Sequence, residues 1–220
     1  MDMTARRPYR RASEQTRRTE LIAATQELVA EGGPANATVR AIAARAGVTA
    51  GLIRHYFQSK EELVRAAYLC LMEGMTAQSA AALDSVGTVP EARLAAFVAT
   101  SLGPPVMEAA AVGLWAGFVH KVQSTPELLA VHEAVYLDYR GMLQSLIAAL
   151  PRLATEVQQR AEAIACNAVI DGLWLEGSIL SHAFAPGEIP AIGLRSVGAI
   201  LGVDLLAHAP QYSHIGKTLP

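Results

Sequence analysis

The chain has 220 residues, of which 52% are hydrophobic and 17% charged, with a formal net charge of −2. That balance suits an ordinary buried core and excludes a disordered polyelectrolyte. No eighteen apolar residues run uninterrupted, which argues against a membrane span. The N-terminus, with Arg6, Arg7, Arg10 and Arg11, is not expected to act as a secretory signal. Charge is unevenly spread: residues 1–60 hold ten Lys and Arg against five Asp and Glu, and residues 61–220 hold eight against fifteen. A basic end on an acidic body suggests a polyanionic partner for that end alone. Cys70 and Cys166 fall far apart inside helical patterns, so buried free thiols of a cytoplasmic protein are expected.

In chain order, residues 1–13 carry no periodicity and are expected to form a flexible basic arm. From Glu14 to Glu31, Leu21, Ile22, Thr25, Leu28 and Val29 recur at helical spacing, and Gly32-Gly33-Pro34 ends that helix. Thr38 reads as the N-cap of a second helix with Val39, Ile42, Ala43 and Ala46 on one face. Gly47 stops it, and Thr49 caps a third helix that reaches Phe57. Ser59 and Glu62 form a capping box before a long helix through Leu63, Ala67, Leu71 and Met75. Beyond Gly74 every interpretable segment is helical, with breaks at Pro90, Pro104-Pro105, Pro126, Pro151 and Pro186-Gly187. Thr125-Pro126-Glu127 combines a cap, a first-turn proline and a first-turn acid. No strand alternation and no internal repeat occurs, so the fold class is all-α. The expected division is a domain over 14–75, a helical bundle over 76–207 and an unpacked tail over 208–220.

The third helix is too short to be stable alone. Leu52, Ile53, Tyr56 and Phe57 fall within one arc at 100° per residue and can pin it to its neighbours, while Gly51, Arg54 and His55 fall on the opposite arc. Two short helices joined by a tight turn containing Gly47 describe a helix-turn-helix over residues 38–57. A major groove admits one such helix and meets residues near its N-terminus. Ala50 and Gly51 permit close approach, Arg54 can donate to guanine or phosphate, and His55 and Tyr56 can donate to phosphate. The amides behind Thr49, and those behind Ser59 beside Lys60, suit a phosphate oxygen. The competing reading is a solvated charged face, with Tyr56 as a core residue whose hydroxyl is wet.

The block TVRAIAARAGVTAGLIRHYFQSKEEL resembles the DNA-binding domain of the TetR family of bacterial repressors. The likeness is carried by Gly47-Val48-Thr49, Gly51, His55-Tyr56-Phe57 and Lys60. It implies a DNA-binding domain over 14–75 followed by a ligand-binding and dimerisation domain. It also implies that Thr38, Thr49, Ala50, Gly51, Arg54, His55, Tyr56 and Lys60 match positions that touch double-stranded operator DNA. AVIDGLWLEGSI (Ala168–Ile179) and LWAGFVH around Trp115 are similar to the subgroup of choline-responsive repressors of glycine-betaine synthesis.

Two further expectations rest on residue patterns in the second part. Ala161, Ala165, Ala168 and Gly172 form one small-residue stripe, and Gly198 with Gly202 another. Helices apolar on two sides need two partners, so a four-helix interface of a homodimer is expected, against central helices of a monomer. Aromatics gather at Trp115, Phe118, Tyr136, Tyr139 and Trp174, and are expected to line a pocket with Asp171 as a counter-charge rather than serve as ordinary core. A small-molecule effector, with a choline-like cation as one candidate, would suit those faces by cation–π contact.

The sequence contains no G-x-S-x-G, Walker A loop, Rossmann fingerprint or C-x-x-C, so neither catalysis nor a cofactor is expected. No His pairs with another His or a Cys at helical metal-ligand spacing; His120, His132 and His182 read as satisfied or solvated, and His208 and His214 fall in the tail. No metal is expected. The alternative to a DNA-binding regulator is a helical enzyme or ligand-binding protein with scattered site residues in 76–186.

Overall fold

Helix boundaries follow the caps. A computed structural model describes residues 14–104, 106–107 and 109–212. The expected basic arm (1–13), His214 and the end of the expected tail lie outside these. The described residues form two compact units, one ending at Ala67 and the other beginning at Tyr68. That division and the expected one near residue 75 both fall inside one long helix, so no break in the sequence marks it.

In the first unit α1 (Glu14–Gly32) buries Leu21, Ala24, Thr25, Leu28 and Val29. It packs against α2 (Val39–Arg45) and α3 (Ala50–Tyr56), and α4 (Lys60–Ala81) begins within this unit. Thr38 Oγ1 accepts from the amide of Ala41, and Thr49 Oγ1 from that of Leu52. The turn between α2 and α3 is fixed by backbone bonds: Val48 N donates to Ala43 O at 2.9 Å and Gly47 N to Ala44 O at 3.3 Å. This pairing needs a left-handed residue, and Gly47 supplies it at φ 64°. Gln26 Nε2 donates to Ala67 O, tying α1 to α4.

The second unit contains α5 (Pro90–Ser101), α6 (Ala109–Val122), α7 (Pro126–Ala148), α8 (Glu156–Ile179) and α9 (Glu188–Leu201), with short 3-10 turns between and after them. Thr155 and Gln158 form a reciprocal capping box that starts α8. At α7 the proline sits at the first turn as expected, but the Thr125 side chain makes no capping bond. α5 packs on α7 and α9, and α8 on the same two helices. Leu94, Phe97, Leu143, Ile170 and Leu194 meet in the resulting core.

Two expectations are corrected here. Cys166 is buried but Cys70 is exposed on α4, because its position on the helix points away from the apolar face. The chain beyond His208 is not wholly unpacked: Ala209 is buried and Tyr212 is half-buried against the core. Both are carried there by the 3-10 turns Leu206–His208 and Pro210–Tyr212, which helical periodicity does not reveal.

Candidate nucleic-acid interface and ligand cavity

On α3 the side chains separate as the sequence arcs require. Ile53 and Phe57 are each 1% exposed, whereas Thr49, Ala50, Gly51, Arg54 and His55 are exposed. Tyr56 is half-buried, with its ring edge-on to that of His55 at 5.0 Å. Lys60 is half-buried at the first turn of α4 and Thr38 is exposed at the start of α2. Ser59 Oγ accepts from Glu62 N, while the Glu62 carboxylate caps Gln58 N at 2.7 Å, so one amide beside Lys60 is already occupied.

Gly51 is informative. A Cβ built there would meet nothing nearer than Thr49 Oγ1 at 3.9 Å, so the protein's own packing does not demand glycine. Glycine inside a helix costs about 1 kcal/mol relative to alanine.

Sequence reasoning missed Arg18. Its Nη1 donates to Tyr56 O, and its guanidinium lies 4.2 Å from the centroid of the Phe57 ring. It thereby closes the C-terminus of α3, where a cation is also favoured by the helix dipole. The signal was only an arginine at helical spacing on α1, indistinguishable in sequence from Arg17, which pairs with Glu20.

The second unit holds a cavity of about 410 Å³ between α4, α5, α6, α7 and α8. Of the expected pocket residues, Trp115, Tyr136, Tyr139, Asp171 and Trp174 line it. Phe118 does not: it is fully buried and packs on Tyr68 with ring centroids 5.0 Å apart. Trp115 and Trp174 meet edge to face at 5.4 Å, and the Trp174 indole N–H donates to Val106 O at 2.9 Å. On the α7–α8 side, the Tyr136 hydroxyl donates to Asp171 Oδ2, and Asn167 Nδ2 donates to Tyr136 Oη at 2.6 Å and to Asp171 Oδ2 at 2.9 Å. Burial raises the Asp171 carboxyl above its ordinary value, and those two donors oppose the rise. Burial, then the neighbouring carboxylate, pushes Tyr136 up to about 12. His132 stacks on Tyr136 at 5.4 Å, bonds Tyr68 Oη through Nδ1 at 2.8 Å, and is lowered by burial. On the α4–α5 side, Tyr139 donates to Ser101 Oγ at 2.8 Å and Ser79 pairs with Ser101 at 2.9 Å.

The small-residue stripes separate. Ala161, Ala165, Ala168 and Gly172 are all exposed on α8, flanked by the exposed Ile164, Leu175 and Ile179. Gly172 and Leu175 also border the cavity. On α9, Gly198 is buried: a Cβ there would stand 2.5 Å from Val203 O, so its smallness serves the turn of its own chain. Gly202 is exposed at φ 69°, ending α9 in the left-handed conformation. Ala199 and Ile200 form the open part of α9 instead.

Residues 21–67 match the bacterial regulatory proteins of the tetR family, and residues 90–202 match the C-terminal domain of BetI-type transcriptional repressors. The chain belongs to the TetR family. It is 32% identical over 171 residues to the HTH-type transcriptional regulator BetI of Stenotrophomonas maltophilia, covering 78% of this chain and 86% of that one. With the protein of the same name from Serratia proteamaculans it shares 31% over 177 residues, covering 80% and 88%. Among solved structures, a transcriptional regulator from Pseudomonas aeruginosa PAO1 superposes with a TM-score of 0.78 at 29% identity, covering 91% and 96%. A regulator from Saccharomonospora viridis, solved in complex with choline, shares the fold with a TM-score of 0.68 at 17% identity, covering 81% and 94%. This TetR-family chain is therefore a BetI-like transcriptional repressor and not an enzyme. Among the described residues no helix is long and apolar enough to cross a membrane, and no cluster of side chains could hold a metal ion.

Proposed function

We propose that this repressor binds a palindromic operator in the bacterial cytoplasm as a homodimer, reading it through α3, and leaves it when a small organic cation occupies the cavity. The observation that carries the DNA reading is the open face of α3, where Ala50, Gly51, Arg54 and His55 are exposed together just after the Thr49 cap. Thr38, Thr49, Tyr56 and Lys60 are assigned to phosphates, which position the helix without reading sequence. Homodimerisation is supported by the open apolar stripe of α8 with Ala199 and Ile200 of α9, a surface of the kind that an isologous two-fold buries.

The effector reading is supported by aromatic faces and a carboxylate on one cavity wall, a combination that attracts an organic cation. Choline is a candidate on that chemistry and by likeness to the choline-bound relative. Release requires the cation to prefer a conformation whose two recognition helices no longer meet successive major grooves, since only differential affinity shifts an equilibrium. The test is retardation of DNA from the chain's own promoter by purified protein. Binding weakening steeply with salt, and reversed by an organic cation, supports the proposal; equal binding to unrelated duplexes contradicts it.

A further inference from the structure

The cavity's size and the bookkeeping of its hydrogens narrow the ligand further. At about 410 Å³ the cavity falls within the roughly 300–1,000 Å³ of pockets that hold drug-sized ligands, which are larger than choline. Most of the remaining wall is apolar, with Met72, Met75, Val119, Val135 and Ile170 facing the space. A ligand of choline's size would leave much of that surface without contact.

Each hydroxyl has one hydrogen to give. Ser101 gives its own to Phe97 O at 2.9 Å, so Ser79 must be the donor in the Ser79–Ser101 pair. Tyr139 gives its hydrogen to Ser101, Tyr136 gives its own to Asp171, and Trp174 gives its N–H to Val106 O. The serine and tyrosine hydroxyls therefore present only acceptor capacity to a ligand, and Trp174 presents neither donor nor acceptor. The Tyr136 and Asn167 donors both converge on Oδ2 of the cavity-lining Asp171 carboxylate, and neither takes Oδ1. Among the described residues Asp171 is the only acid on the wall, and no lysine or arginine lines it. Thr76 and Trp115 add an uncharged O–H and N–H to the wall, and burial lowers the His132 imidazole. Such a wall repels an anion and accepts hydrogen bonds from a cation.

We propose that the effector is a protonated amphipathic amine, with an N–H donating to Asp171 Oδ1 and an apolar body filling the space between the methionines and the two tryptophans. This rests on the cavity being the effector site of the proposed repressor. Calorimetric titration of the full chain with four probes tests it: 4-phenylbutylamine, its N,N,N-trimethyl derivative, choline and 5-phenylpentanoate. The amine should bind at least tenfold tighter than choline and several-fold tighter than its trimethyl derivative, which has the same body but no N–H. The carboxylate should not bind. Asp171→Asn should abolish the difference between amine and trimethyl derivative, and the wild-type series stands without the variant. Choline binding as tightly as the amine would overturn the amine but leave the cation reading intact, provided choline also releases operator DNA. Absence of binding by all three cations, or preference for the carboxylate, would overturn both.

Discussion

Two arginines of the first unit have different relations to α3. Arg54 is exposed on the helix, whereas Arg18 reaches it from α1, bonding Tyr56 O and covering Phe57. Replacing Arg54 by alanine should lower operator affinity and change preference at one base position by about 1–3 kcal/mol if it reads a base edge. Arg18→Ala should lower affinity with an unchanged salt slope, because it orients the helix without touching phosphate; a slope reduced by about 0.9 would make it a phosphate ligand. In the second unit, Asp171 is a charge held partly against burial. Its raised folded-state value means that charging it costs stability: the fold carries no such cost at low pH, where the carboxyl is neutral, and loses stability as pH rises through the raised value. Asp171→Asn should therefore melt higher than wild type near neutral pH, by ~2–4 °C for each ~1 kcal/mol. The gap should close below about pH 4, the ordinary carboxylate range. A variant that melts lower at neutral pH would show that the carboxylate stabilises its surroundings. Higher stability with weaker ligand binding is the trade expected of a binding residue.

At the level of elements, most of the fold was legible because helix ends are local chemistry. Thr38, Gly47 and Thr49 mark the helix-turn-helix by caps and a left-handed turn, and the same residues do this in the structure. What pairs across the bundle was not legible. Ser79 and Ser101 lie 22 residues apart on different helices, and nothing local marks either as the other's partner. His132 read as an ordinary histidine, yet it joins Tyr68 and Tyr136. Phe118 shared a helical face with Trp115 but turned into the core, since 3.6-residue periodicity gives a face and not the neighbour on it. Gly198 shows the same limit: small-residue spacing suggested a helix interface, whereas the contact is with Val203 O of its own turn. Gly198→Ala should destabilise the protein by about 1–3 kcal/mol in urea unfolding, as overpacking does. No change in stability would mean that the turn relaxes freely.

For the whole molecule, the proposal assigns partners to two surfaces: DNA to the exposed face of α3 and a second chain to the open apolar stripe of α8. An arginine at Ala168 would place an unpaired charge in the middle of that stripe. Ala168→Arg should weaken the dimer by about 2–5 kcal/mol, leaving monomer in sedimentation at concentrations where wild type is dimeric; unchanged association would move the interface elsewhere. The most direct measurement is fluorescence anisotropy of labelled DNA from the chain's own promoter, titrated with protein between about 50 and 200 mM salt, with and without an organic cation. Two chains per operator, affinity falling steeply as salt rises, and release by the cation but not by a carboxylate are the predicted results. Equal affinity for operator and scrambled duplex, or a complex indifferent to every cation, would contradict a cation-released repressor.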